Sequence, residues 1–245
     1  MNAPTPCDSA EAHRRQMGDA AAALDSLVRG RRTVRAFRPD PVAEEVVNDI
    51  LEIAARAPST FNTQPWRVHV LRGQARQRLV EAILDAHAAN SEPPFTPFPS
   101  PPPPACGDRQ AEFGRHYYGS LAIDPGDTAA RARQTARNYR FFDAPVGLMF
   151  SIDATLRRHS WVDIGLFLQT LMLAAHSRGL ATCPQVAFLR YERVIAQNLA
   201  FAEDEALVCG MSLGYPDWDA PVNRVTMPRA AAPAFTCWHG VDGPS

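Results

Sequence analysis

A short basic segment is the first place in this sequence where side chains could act together on a ligand. Three arginines and a threonine fall within five residues, as Arg31, Arg32, Thr33 and Arg35. In extended chain these side chains can converge on one anion, and the forked donors of arginine match phosphate oxygens. A solvated basic turn would use the same residues. The segment therefore indicates either a phosphate site or an ordinary turn.

A second polar stretch runs from Pro58 to Trp66 and places hydroxyl and amide side chains in a loop between a helix and a strand. An amide offers both a donor and an acceptor, which suits the alternating carbonyl and NH edge of a heterocycle. The alternative interpretation is an Asx or Ser turn.

Other chemistries have little support in the sequence. It contains no catalytic triad, metal-binding set or dinucleotide fingerprint, and His176 is interpreted as a core or interface residue. The five cysteines occur singly, which predicts reduced thiols and no metal site. Cys183 and Cys209 are interpreted as small buried groups and not as nucleophiles. No side chain is therefore assigned a catalytic role.

Five sequence blocks together resemble the FMN-dependent nitroreductase superfamily, closest to the branch typified by nitrobenzoate reductases. The segments RRTVRAF and PSTFNTQPW, which begin at residues 31 and 58, are similar to the two N-terminal signatures of that family in order and separation. The later blocks are ARNYRFFDAP, GLATCPQ and CGMSLGYP, which begin at residues 136, 179 and 209. The resemblance covers about residues 20 to 240.

The resemblance implies an α+β fold of the three-layer α/β type, in which helices wrap a mixed central sheet. It also implies a homodimer that exchanges C-terminal arms and holds two FMN molecules at its interface. The implied activity is reduction of nitroaromatic compounds by NADH or NADPH to nitroso and hydroxylamino products, through ping-pong hydride transfer at flavin N5. Reduction of quinones or enones, dehalogenation and a nonenzymatic flavin-binding module remain alternatives.

The same resemblance assigns FMN contacts to four parts of the chain and one isolated arginine. The arginine segment would hold the phosphate and the flavin's polar edge, and the loop after residue 58 would come from the partner chain. Residues 138 and 140 would lie near the pyrimidine ring, and the segment 184–187 would pack on the ring and offer a backbone N–H to N5. Arg229 matches a C-terminal arginine that would contact the phosphate, and Arg224 is the alternative for that role. The assigned residues are Arg31, Arg32, Thr33, Arg35, Pro58, Ser59, Thr60, Asn62, Gln64, Asn138, Arg140, Pro184, Gln185, Val186, Ala187 and Arg229.

Hydrophobic periodicity predicts the elements that must position these residues. Residues 1–19 are polar and predict a flexible tail, followed by one domain over 20–240. Helices are predicted at 20–30, from Asp40 as N-cap with Pro41 as first residue, at 74–89, at 128–142, at 161–177 and after Tyr191. Strands are predicted at 66–71, 146–152 and 206–213.

Two further segments bear on function. Eight of the 22 prolines lie between Pro93 and Pro104, which predicts a surface insertion over 90–126, either a variable loop or a lid over the substrate pocket. The helix 161–177 is apolar nearly all round and predicts a central core element or part of a dimer interface. The irregular arm after Tyr215 contains Phe235 and Trp238, which favours docking over disorder.

Charge and the first residues of the chain limit the partners. There are 25 Lys+Arg against 26 Asp+Glu, which argues against a surface built for nucleic acid or anionic lipid. The first twenty residues contain charged side chains and no apolar run, so neither a secretory signal nor a membrane span is predicted. A soluble cytoplasmic protein is therefore expected, and the resemblance implies a small aromatic substrate.

Overall fold

A computed structural model describes residues 6–156 and 158–240 of the chain. That part contains helices α1 to α7 at Pro6–Gly30, Glu44–Ala54, Gly73–Ala88, Pro104–Ser120, Thr128–Ala136, Arg158–Ser177 and Glu192–Leu199. It contains strands β1 to β4 at Arg67–Leu71, Val146–Asp153, Ala181–Gln185 and Glu205–Gly214. None of the described helices is both long and apolar enough to cross a membrane.

The four strands form one sheet in the order β1-β2-β4-β3, and every neighbouring pair is antiparallel. The α+β class is confirmed, but the expected mixed sheet needs correction. In the described residues, parallel pairing is limited to one isolated bridge between Thr33 and Thr182. A single bridge joins the arginine segment to the sheet edge without making it a strand.

Helices cover both faces of the sheet, which produces three layers. Alternate side chains of a strand point to opposite faces, and β2 follows this rule. Met149 packs in a core with α3 and α7, whereas Leu148 and Phe150 pack in a second core with α2 and α6. Because β2 and β4 are buried almost throughout, the sheet is a rigid base for the loops at its ends.

Two 3-10 turns that carry candidate site residues press directly on this sheet. They span Arg137–Asp143 and Val186–Tyr191. Gly147 on β2 has no room for a side chain, because an added Cβ would lie 2.6 Å from the ring of Phe141. The absence of a side chain at Gly147 therefore allows the 137–143 turn to pack closely against β2.

Several element boundaries differ from the sequence predictions. The first helix begins at Pro6 and not near Ala20, although residues 17–26 are exposed and contribute little to the core. The second helix begins at Glu44 with Ala43 as N-cap, because the Asp40 carboxylate instead accepts a hydrogen bond from Arg38 Nε at 2.7 Å. The division into a tail and one domain stays a prediction.

Two elements were missed, and one helix is shorter than predicted. α4 lies inside the proline-rich insertion and starts where the proline run ends, since Pro104 occupies its first turn. β3 was missed because it is short and contains Pro184. The helix predicted over 128–142 ends at Ala136, and positive φ angles of 54° and 50° at Phe141 and Phe142 show that helical geometry cannot continue.

Candidate functional site

Arg31, just after α1, is subject to the charge of an arginine from a distant part of the chain. Burial, and then the positive charge of Arg229, lower the pKa of the Arg31 guanidinium below its usual value. Arg229 belongs to the C-terminal arm and donates to the carbonyl oxygens of Met227 and Pro228 at 3.2 and 3.1 Å. Arg31 is half-buried whereas Arg229 is exposed, and an anion bound between them would offset the repulsion of the two like charges. The pair therefore suits a phosphate group.

The rival arginine is engaged elsewhere. Arg224 donates to the carbonyl oxygens of Trp218 and Asp219 at 3.2 and 2.9 Å. Its charge is also partly matched by the carboxylate of Asp219 at 3.7 Å. The C-terminal arginine whose charge acts on Arg31 is Arg229 and not Arg224.

His176 joins this corner of the molecule, and sequence reasoning did not place it there. It lies at the end of α6, where burial and then the charge of Arg31 lower its pKa. Its Nε2 atom would lie 2.9 Å from a Cβ added to Gly30, so the α1 terminus and α6 are in close contact. Because His176 and Arg31 are far apart in sequence, no local sequence pattern could have predicted that they lie near each other.

The rest of the arginine segment is fixed by backbone contacts. The Val34 N–H donates to the Thr182 carbonyl oxygen at 3.1 Å beside the Thr33 bridge. The Arg35 N–H donates to Asn223 Oδ1 at 2.8 Å, and Asn223 Nδ2 returns a hydrogen bond to the Ala36 carbonyl oxygen. Arg32 is exposed. The structure therefore brings residues 31, 33 and 35 to one edge of the sheet, and Asn223 is a supporting residue that the sequence did not reveal.

A hydrogen-bond network joins the turn at residue 138 to the end of β3. Gln185 Nε2 donates to the Asn138 carbonyl oxygen at 2.7 Å, and Gln185 Oε1 accepts from the Ser212 hydroxyl at 2.8 Å. Gln185 is buried, so its side chain braces the 137–143 turn against the sheet. Pro184 and Val186 on either side are exposed, and Ala187 is partly buried.

Arg140 lies against α3. It lines a groove of about 430 Å³ that it shares with Arg76 and Asp143. Its carbonyl oxygen accepts a hydrogen bond from Arg76 at 3.0 Å. This position is two residues beyond the Asn138 network along the same turn.

The loop after Pro58 is held in a strained conformation. Phe61, Asn62 and Gln64 have positive φ angles of 51°, 57° and 46°, which non-glycine residues adopt rarely. The Thr60 N–H donates to both carboxylate oxygens of buried Asp163 at 3.2 Å, and the Gln64 N–H donates to Ser59 Oγ at 3.0 Å. Strain that surrounding contacts enforce is typical of ligand sites. Asp163 was missed because its role depends on a contact between distant segments.

One chain does not bring this loop to the arginine pair. Asp163 holds the loop near the start of α6, whereas His176 marks the arginine corner near its end. The separation of thirteen positions from residue 163 to residue 176 corresponds to about 20 Å of helix. Within one chain the assigned residues therefore do not form one group, because the arginine segment lies beside the start of β3 and the loop 58–64 lies near the opposite end of α6.

Metal chemistry has no support in the described residues, where no cluster of three His, Cys, Asp or Glu side chains could hold an ion. The two buried thiols are also unreactive at neutral pH. Burial raises the pKa of Cys183 to about 11 and that of Cys209 to about 12. In the described residues, the arginine segment remains the group of side chains suited to holding an anion.

Several known proteins are similar to this chain in sequence. The profile of the Nitroreductase family matches residues 28–215. A 4-nitrobenzoate reductase of Pseudomonas putida is 47% identical over 219 residues, which cover 89% of this chain and 96% of that protein. A nitrobenzene nitroreductase of Ectopseudomonas oleovorans is 41% identical over 216 residues, covering 87% and 95%.

A solved structure shows the same likeness in three dimensions. The FMN-dependent nitroreductase NfnB from Mycobacterium smegmatis, solved in complex with NADPH, superposes with a TM-score of 0.84 at 37% identity. The superposition covers 90% of this chain and 99% of that one. With the family profile and the near-complete coverage, one conclusion follows: the chain belongs to the nitroreductase family.

Proposed function

We propose that this protein is an FMN-dependent oxidoreductase that uses NAD(P)H to reduce nitroaromatic compounds. The observation that carries the proposal is the arginine cluster at the edge of the sheet, where half-buried Arg31 is subject to the positive charge of Arg229 and an anion would offset their repulsion. Relatives named for nitrobenzoate and nitrobenzene reduction support the substrate class. The NADPH complex of a structural neighbour supports the electron donor.

The donor set fits a flavin mononucleotide. Arg31 and Arg229 would hold the terminal phosphate with the Thr33 hydroxyl, and Arg35 would lie toward the polar edge of the ring. When bound, FMN supplies a two-electron acceptor that protein side chains lack. The protein's own contribution is to place the ring, to shield it from water and to keep positive charge beside it.

The ring contacts would come from buried and strained backbone. The brace formed by Gln185, Asn138 and Ser212 fixes the start of the 186–191 turn, so the backbone N–H groups of Val186 and Ala187 are held in place. No nucleophilic side chain is needed there, because the bound cofactor would supply the electron transfer.

We also propose that the working unit is a homodimer in which each site uses both chains. Trp161, Val162 and Leu166 are exposed along one side of α6, next to the loop that carries Phe61, which is 96% exposed. A monomer rarely leaves such a surface open to water. A second α6 packed against the first could bring the partner's loop 58–64 to the phosphate arginines, which one chain cannot do.

A cytoplasmic location is part of the proposal, since the cysteines occur singly and two are buried thiols.

Steady-state assays test the function. NADPH and NADH oxidation would be followed with 4-nitrobenzoate and with benzoate, which has the carboxylate but no nitro group. We expect nicotinamide oxidation only with the nitro compound, in a ratio of two per hydroxylamino product, because each step takes two electrons. Equal rates with benzoate and 4-nitrobenzoate, or no product detected chromatographically, would contradict the proposal.

A further inference from the structure

Helix α4, inside the proline-rich insertion, contacts a residue of the arginine segment directly. The guanidinium carbon of Arg35 lies 5.0 Å from the ring centre of Tyr117 and 5.3 Å from that of Phe113. The two rings stack on each other at 5.2 Å with an interplanar angle of 13°. Arg35 therefore rests against an aromatic pair on α4, and these distances are within the range of cation–π attraction.

This contact leaves the hydrogen-bonding edge of Arg35 available. A guanidinium attracts an aromatic ring through its flat face, whereas its N–H donors point outward in the plane. In the described residues, the Arg35 side chain makes no ion pair with a carboxylate, and its backbone N–H is taken by Asn223. The rings thus restrict where the side chain can point without using the donors that an anionic ligand would need.

Tyr117 is itself held firmly. Its side chain is 7% exposed, and its hydroxyl accepts a hydrogen bond from Gln134 Nε2 at 2.8 Å, which ties α4 to α5. A buried aromatic ring with a satisfied hydroxyl is a rigid surface. Phe113 and Gln134 therefore fix Tyr117, and Tyr117 fixes Arg35.

From these contacts we propose that Tyr117 is a positioning residue for flavin binding, acting through the guanidinium of Arg35. The inference rests on the proposed function, because it takes Arg35 to be a ligand of FMN. It also gives the proline-rich insertion a role, because its helix α4 packs against a cofactor-binding arginine and restricts the conformation of that side chain.

The same helix offers a matched control. Tyr118 lies next to Tyr117 in sequence, but its ring lies 4.2 Å from the guanidinium carbon of Arg131 on α5. Replacement of either tyrosine by leucine removes a phenol ring from α4 and a cation–π contact. Only the replacement at 117 removes the contact with Arg35.

The test measures FMN dissociation constants by fluorescence titration of the full-length, deflavinated protein. We expect Tyr117→Leu to raise the dissociation constant by roughly three- to thirtyfold, the range of a cation–π contact. Tyr117→Phe, which keeps the ring, should stay within about twofold of the parent protein on the same scale. Tyr118→Leu should also stay near the parent value, and thermal melts would verify that each variant folds.

A double-mutant cycle separates positioning from general loosening of α4. In an Arg35→Ala background, Tyr117→Leu should have no further effect on FMN affinity, because the group it positions is absent. If Tyr117→Leu does not fold, Phe113→Leu replaces it, with a smaller rise expected. Equal losses from the 117 and 118 variants, or additive losses in the cycle, would overturn this inference alone. Failure of the parent protein to bind FMN would overturn the proposed function as well.

Discussion

Individual residues of the site divide into those that a local motif reveals and those that only the fold reveals. The arginine segment and the 58–64 loop stand out in the sequence because polar groups are dense there. Asp163 and Asn223 do not, since their hydrogen-bond partners are 103 and 188 residues away. Gln185 belongs to the segment assigned to the flavin ring, and the structure adds that its side chain is a buried brace to Asn138. Contacts between such distant residues form only when the chain folds, so no local pattern encodes them.

The first prediction concerns Arg31. Arg31→Ala should weaken FMN binding by about tenfold to a hundredfold, the size of a lost charge-assisted hydrogen bond. Deflavinated Arg31→Ala protein should melt no earlier than the parent, because the substitution also removes a like charge from beside Arg229. Flavin titration and thermal melts would measure both effects.

Arg29→Ala is the control for that experiment. Arg29 carries the same charge two residues earlier, but it is highly exposed and lies 3.9 Å from Asp25 on the same helix. Its removal should leave FMN affinity unchanged. If the two variants bind FMN equally well, the arginine segment is a solvated turn.

At the scale of elements, the sequence predicted long and periodic segments better than short ones. The helix 161–177 and the strands 146–152 and 206–213 lie within α6, β2 and β4. α4 was missed because its large apolar side chains are limited to three aromatics, at 113, 117 and 118. It also follows a proline run that suggested irregular chain. The break after Ala136 was missed because positive φ angles at two phenylalanines are set by packing on the sheet and not by local preference.

The second prediction tests how that turn is seated. Gly147→Ala should destabilise the protein by about 1 to 3 kcal/mol, because the new methyl group must displace the ring of buried Phe141. Chemical denaturation would measure the loss. Since the 137–143 turn carries Asn138, FMN affinity should fall with stability.

Gly18→Ala provides the comparison. Gly18 lies in α1 with nothing within 4 Å of an added Cβ, and alanine favours helix by about 1 kcal/mol over glycine. This variant should be as stable as the parent or slightly more stable. A destabilised Gly18→Ala together with a neutral Gly147→Ala would contradict the described packing of both segments.

The whole molecule has features that a single chain leaves without partners. Phe235 and Trp238 in the C-terminal arm are 73% and 82% exposed, and the loop 58–64 lies about 20 Å of helix away from the arginine corner. Both features would be explained if two chains exchange arms and share two sites.

Truncation after Ala230 is the third prediction and separates the arm from the phosphate arginine. It removes Phe235 and Trp238 but keeps Arg229 and Asn223. If the proposed dimer interface buries these two aromatics, their loss should weaken dimer formation by about a hundredfold or more. Sedimentation equilibrium would measure it. A truncated protein that dimerises like the parent would show that the arm has no part in the interface.

The most direct test of the account is an anaerobic titration of the purified protein followed by its visible spectrum. We predict a yellow protein that releases FMN, and not FAD, on denaturation. One equivalent of NADPH or NADH per flavin should bleach it, and 4-nitrobenzoate should then restore the oxidised spectrum whereas benzoate should not. A colourless protein that fails to take up added FMN, or a bound flavin that no nicotinamide reduces, would contradict the central claim.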